Sequence, residues 1–297
     1  MIALRREPRV TASGCEACFA IGPVSVVVRS DLPEILEDFA GLYADARVDQ
    51  PTTEPIIRME VRAVRSGWMR PTRYEIFGDG RSLWTADRPR EVLPYIEWGI
   101  NWRVIERCPG YVQVHAATLV RDGQGLLLAA DSGSGKSTLA AGLLARGWGY
   151  LSDEFALIDP VDLSMHALPK ALCVKAGAFD AVREIGLPLW RGRHYVKALK
   201  GCVGYIRPAD IRPDVVAAAA PIRWIVFPQY LAGCRPRLLP VSRAQALFTL
   251  AAGTLNRHIF GHQAAAILRR VVTTASCYRL EAGSLDATCR VLGELAG

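Results

Sequence analysis

A chain of 297 residues, 51% hydrophobic and 22% charged, carries enough apolar side chain to bury one large or two modest cores, which excludes a disordered or low-complexity protein. Its net charge of +7 comes from dispersed arginines rather than runs, so a dedicated nucleic-acid stripe is not indicated, and no stretch approaches eighteen uninterrupted apolar residues. The basic start, with Arg5, Arg6 and Arg9, has no apolar h-region behind it, and the eight cysteines include a single C-x-x-C, Cys15 and Cys18; the expectation is a cytoplasmic protein with reduced cysteines, no membrane contact and no nucleic-acid partner.

In chain order, Phe19 to Arg29 is mostly apolar and ends in a strand pattern at Val24 to Val28. From Pro33 to Tyr43 the residues Ile35, Leu36, Phe39, Leu42 and Tyr43 recur at helical spacing. Ile56 to Val64 reads as a strand, and Tyr74 to Phe77 with Ser82 to Thr85 as a hairpin around Gly78-Asp79-Gly80. Glu91 to Arg107 reads as a long helix whose Tyr95, Trp98, Trp102 and Ile105 form an aromatic stripe, expected in the core. Cys108-Pro109-Gly110 is the strongest local break, so the expected division is an N-terminal α/β domain over 1–108 and a second domain over 109–297.

Val112 to Val120 and Gln124 to Ala130 form two strands around Arg121-Asp122-Gly123 and lead into Ala130-Asp131-Ser132-Gly133-Ser134-Gly135-Lys136-Ser137-Thr138. This matches a P-loop, with Ala130 in the first slot. Gly133 and Gly135 let backbone N–H groups turn inward as an anion nest, Lys136 reaches the β- and γ-phosphates of a nucleotide, and the Ser137 hydroxyl is placed for Mg²⁺. Leu139, Leu143 and Leu144 then recur helically until Gly147. His115, alone on its strand, reads as an ordinary structural residue. Trp148 to Ser152 and Phe155 to Ile158 are strand patterns separated by Asp153-Glu154, a carboxylate pair that can divide metal binding and hydroxyl orientation. Neighbours in a regular strand point to opposite faces, so both reach one site only at a strand end or bulge.

These residues carry a resemblance. His115, the 130–138 loop and Leu151-Ser152-Asp153-Glu154 resemble the catalytic core of the HPr kinase/phosphorylase family. Glu97-Trp98-Gly99-Ile100-Asn101-Trp102, His115-Ala116-Ala117 and Gly147-Trp148 ahead of Ser152-Asp153-Glu154-Phe155 are similar to the diverged HPr-kinase-related kinases, whose relatives include lasso-peptide kinases. The resemblance implies an α/β fold with a P-loop kinase core of the HPr kinase C-terminal domain type. It implies ATP and Mg²⁺ as cofactors and phosphoryl transfer to a serine-type hydroxyl of a peptide or protein. Asp131 to Thr138 would bind the nucleotide, Asp153 would accept the hydroxyl proton with His115 against it, and Ser137 with Glu154 would hold the metal. Glu154 stands where the bifunctional enzymes have Asp, and Arg183-Glu184-Ile185-Gly186 is only a fragment of the signature linked to reverse phosphorolysis.

After Pro160, Leu168 to Lys175 reads as a strand with two lysines and Phe179 to Ile185 as a helix. The stretch from Trp190 to Gly201 gathers Arg191, Arg193, Lys197 and Lys200, expected as a mobile loop on ATP phosphates or an acidic peptide; Lys175, Arg193 and Lys200 are the expected substrate or phosphate contacts. Arg223 to Pro228 reads as a strand buried on both faces, Ser242 to Leu255 and Gln263 to Thr274 as amphipathic helices, and Cys277 to Leu280 with Leu285 to Leu295 as a closing strand and helix. Two other readings share this loop: a kinase for a small molecule such as free serine, and a nucleotide-binding regulator or P-loop hydrolase. A homo-oligomer is left open.

Overall fold

The computed structural model describes residues 9–11, 14–64, 72–131, 133–198 and 200–296, with side chains from residue 15 onward. Ser132 of the loop lies outside the described residues. The chain is mixed α/β and divides into two compact units: Met1–Arg107 with His194–Val203, and Cys108–Arg193 with Gly204–Gly297.

In the first unit, β1 (Arg9–Thr11), β2 (Gly14–Ile21), β3 (Val24–Ser30), β4 (Arg47–Val48), β5 (Ile56–Val64), β6 (Arg73–Gly78) and β7 (Arg81–Ala86) make one sheet, with α1 (Pro33–Leu42) and α2 (Pro89–Arg107) packed on it. Strand order is β1-β2-β3-β5-β6-β7, with β4 beside β2 and only β3 and β5 parallel. The β6–β7 hairpin turns through Asp79 (φ 50°) and Gly80 (φ 78°), the left-handed pair that a two-residue turn needs. The stripe of α2 that enters the core is aliphatic: Val92, Ile96, Ile100 and Val104 are fully buried. This corrects the expectation for the aromatic stripe. Tyr95 and Trp98 stack flat on Trp84 of β7, centroids 5.6 and 5.2 Å away, and are half-buried, while Trp102 is 49% exposed. The aliphatic spacing i, i+4 wins because α2 lies close on the sheet; a Cβ on Gly99 would sit 2.2 Å from Met59 Cε.

The second unit contains β8 (Val112–Arg121), β9 (Gln124–Ala129), α3 (Lys136–Leu144), β10 (Gly149–Ser152), β11 (Phe155–Ile158), β12 (Ser164–His166), β13 (Leu172–Lys175) and α4 (Phe179–Glu184). Next in the chain are β14 (Tyr195–Lys197), which belongs to the first unit, and β15 (Gly201–Ile206), of which only Gly204–Ile206 belongs to the second; α5 (Pro208–Ile211), β16 (Ala220–Tyr230), β17 (Arg237–Pro240), α6 (Arg243–Ala252), α7 (Arg257–Phe260), α8 (His262–Thr274), β18 (Ser276–Ala282) and α9 (Leu285–Ala296) complete the second unit. The centre is the parallel trio β9, β16 and β18, so three carboxyl ends meet at one edge of the sheet. Alternation sorts each strand's side chains into two cores: Leu126 and Leu128 pack on the side of α3 and α9, Leu127 and Ala129 on the side of α6 and α8. Helix α3 approaches α9 at Gly142, where a Cβ would meet Cys289 Sγ and Leu285 Cδ1 at 2.8 Å.

The basic stretch is not a plain loop. Its central residues form β14, which pairs antiparallel with β15 (Tyr195↔Val203, Lys197↔Gly201), and Lys197 is buried. Residues His194–Val203 belong to the first unit, where the Tyr195 hydroxyl donates to Asp38 Oδ2. The alternation of Tyr195, Val196 and Lys197 is what a short strand needs, and Lys197 hides in a run of cations only when its pairing partner is out of view. Among the described residues no helix is long and apolar enough to cross a membrane.

Candidate functional site

The loop after β9 starts where that strand leaves the sheet. Leu126, Leu127 and Leu128 are fully buried and β9 is clamped between β8 and β16, so the turn beginning at Ala130 has a rigid base. Gly133 (φ 99°) and Gly135 (φ 87°) take left-handed backbone that other residues adopt only at a cost. Between them the Ser134 hydroxyl donates to the Asp131 carbonyl at 2.7 Å, and the first helical bond of α3 runs from Leu139 N–H to the Gly135 carbonyl at 2.8 Å. Lys136 opens α3 with its side chain buried, and its ammonium donates to the carbonyls of Ala130 and Asp131. Thr138 follows on the helix, half-buried.

Beneath the loop lies Asp153. It and Glu154 occupy the break between β10 and β11, which meets the geometric condition for two adjacent carboxylates to serve one region. The Ser152 hydroxyl shapes the break by accepting from the Phe155 N–H at 3.2 Å. Asp153 is 3% exposed; its Oδ2 accepts from the Cys173 N–H of β13 at 3.3 Å, and its Oδ1 has no hydrogen-bond partner among the described residues. Burial pushes its carboxyl up to about 7, with the Glu154 charge adding to the rise; the Ser137 hydroxyl, the Cys173 N–H and the Lys136 ammonium pull the other way. A buried oxygen without a donor, beside a serine hydroxyl and a second carboxylate, is a set of hard oxygen donors that suits Mg²⁺. Among the described residues no group of three or more His, Cys, Asp or Glu could hold a metal.

His115 was expected against Asp153, and the structure sets its ring at Glu154. On β8 it pairs with Phe155 of β11, which brings Nδ1 to 3.2 Å from the Glu154 carbonyl oxygen and 4.0 Å from Glu154 Oε2. A carbonyl oxygen only accepts, so this contact places a proton on Nδ1. His115 also lines an open cavity of about 1040 Å³, together with Ala130, Asp131, Gly133 and Ser134 of the loop. The opposite wall comes from Pro228, Gln229 and Tyr230 at the end of β16, Gln245, Phe248 and Thr249 of α6, and Arg279 of β18. None of these wall residues stood out in the sequence, since α6 reads as an ordinary amphipathic helix. The signal that marks them is spatial: Phe248 is 82% exposed and Tyr230 61% exposed at the same cavity.

The three cations expected at substrate or phosphate separate. Lys175, at the end of β13, brings its ammonium against the loop: a Cβ on Gly133 would lie 3.2 Å from Lys175 Nζ. Arg193 is exposed and Lys200 belongs to the segment grouped with the first unit, and neither lines the cavity.

No family model matches the chain, and no curated protein matches it. Among solved structures the chain is similar to the HPr(Ser) kinase/phosphatase from Coxiella burnetii, at 13% identity, with 62% of this chain and 95% of that chain covered and a TM-score of 0.29. A likeness at that score decides nothing about the site, whose chemistry rests on its own residues.

Proposed function

We propose that the chain is an ATP-dependent kinase that transfers the γ-phosphoryl group to a serine-type hydroxyl of a peptide or protein. The observation that carries this is the juxtaposition of a glycine-turned, lysine-bearing loop, a buried carboxylate under it and a His115–Glu154 pair at an open cavity of about 1040 Å³. The residue motifs shared with the HPr-kinase-related kinases support the same reading. A peptide acceptor fits the cavity's breadth and its exposed Phe248 and Tyr230 better than free serine does.

In this reading the inward N–H groups of the loop and the Lys136 ammonium hold the β- and γ-phosphates. Mg²⁺, when bound, would be held by Asp153 and Ser137 and would supply positive charge at the phosphate oxygens. The contacts favour exchanging the roles that the resemblance implies for the two carboxylates. Asp153, buried and facing Ser137 and Lys136, suits the metal side. Glu154, with His115 beside it, suits the acceptor side. There the carboxylate orients the acceptor hydroxyl and takes its proton while the oxygen bonds to phosphorus and ADP leaves; His115 holds the carboxylate in place.

The test is phosphoryl transfer from radiolabelled ATP to serine-containing peptides and to free serine, run beside calorimetric titration of ATP with and without Mg²⁺. Lys136→Ala should lose about a hundredfold or more in transfer. Asp153→Asn should lose the Mg²⁺-dependent part of ATP binding, whereas Glu154→Gln should keep binding and lose about a hundredfold in transfer. Wild-type turnover in Lys136→Ala would remove the loop from the mechanism. Intact Mg²⁺-dependent binding in Asp153→Asn with lost transfer would restore Asp153 as the base. Transfer to free serine but to no peptide would favour the small-molecule kinase, and ATP hydrolysis without any acceptor the hydrolase.

A further inference from the structure

We infer that Lys175 is a second phosphate-binding cation, one that recognises the terminal phosphate of a nucleoside triphosphate; this rests on the reading of 130–138 as a phosphate loop. Strand β13 is held by Leu172 and Val174, both buried in the core beside α3. Alternation then turns Lys175 away from that core, and its Nζ comes to rest against Gly133, 3.2 Å from where a Cβ would stand. Among the described residues that ammonium has neither a carboxylate nor a hydrogen-bond partner. Lys136 brings a second ammonium to the same loop, whose own N–H groups carry partial positive charge.

Two ammonium groups converging on one anion nest repel each other and the nest. That arrangement becomes favourable only when a strongly negative group lies between them, and a triphosphate carries more charge there than a diphosphate. A Cβ at 133 would stand 3.2 Å from the ammonium, which marks how closely it approaches the loop. The same strand donates the Cys173 N–H to Asp153 Oδ2, so β13 sets both a cation at the loop and the buried carboxylate beneath it.

The test titrates MgATP and MgADP by calorimetry into the wild-type chain, Lys175→Met, Lys175→Arg and Lys136→Ala, with a melting curve for each. Expected is a loss of about tenfold or more in MgATP affinity for Lys175→Met, a smaller loss for MgADP, substantial recovery in Lys175→Arg and an unchanged melting temperature. If Lys175→Met melts early, Lys175→Gln reads the same loss of charge with a polar chain of similar length. Unchanged MgATP affinity in the charge-removing variants, while Lys136→Ala loses it, overturns this inference alone. Equal losses for MgATP and MgADP overturn the assignment to the terminal phosphate. If the wild-type chain binds neither nucleotide, the phosphate-loop reading falls and this inference falls with it.

Discussion

A carboxyl group that loses its water on folding keeps its proton to higher pH, and Asp153 is such a group: its usual value of 3.8 rises to about 7 through burial first and the neighbouring Glu154 charge second. Over the interval between those values the folded chain holds a proton at Asp153 that the unfolded chain has released. Stability should therefore fall as pH rises across that window, by up to about 1.4 kcal/mol per pH unit from this group, and it should be fully present below the lower value. Asp153→Asn removes the slope. Urea titrations at several pH values should find the variant more stable than the wild type above pH 7 and the two converging toward pH 4; parallel curves for both would contradict a buried, proton-holding Asp153. His115 illustrates the limit of reading residues singly. Alone on a strand it looks structural, and only the register that pairs it with Phe155 brings it to Glu154.

Among elements, α6 forms one wall of the cavity and owes its start to a local device. Ser242 accepts from the Gln245 N–H at 3.2 Å while the Gln245 side chain accepts from the Ser242 N–H at 3.3 Å. Ser242→Ala should cost about 1 kcal/mol, seen as a lower melting temperature, and Ser242→Asp should recover most of it. A melting temperature unmoved by Ser242→Ala would mean that packing alone holds the helix start. Elements of this kind were readable in advance because their signals are local: the helical spacing from Ser242, the Gly78-Asp79-Gly80 and Arg121-Asp122-Gly123 turns, and the apolar run of Ile56–Val64. The three-residue β12 and β14 were not, since each is too short to carry a period of its own and is held by pairing with β11 and β15 rather than by a pattern of its own residues. The same reason hid the cavity wall. The loop, the carboxylate pair and Lys175 announce themselves by residue type and spacing, whereas Tyr230, Phe248 and Arg279 come together only through the order of β16, β18 and α6.

At the scale of the whole molecule, the first unit is assembled from two separate lengths of chain, Met1–Arg107 and His194–Val203. The later length is not decoration, because Tyr195 brings its hydroxyl to the buried Asp38 and β14 lies along α2. Tyr195→Phe removes a donor from that carboxylate and should destabilise the chain by about 1–3 kcal/mol in chemical unfolding. A change within about 0.5 kcal/mol would mean that the hydroxyl contributes nothing there. The chain passes between the two units three times, at Arg107–Cys108, at Arg193–His194 and at Val203–Gly204. Recombination follows different seams from translation here: a chimera that exchanges the first unit between related chains must transplant residues 194–203 together with 1–107. One that swaps at the single break inherits a Tyr195 and an Asp38 from different parents.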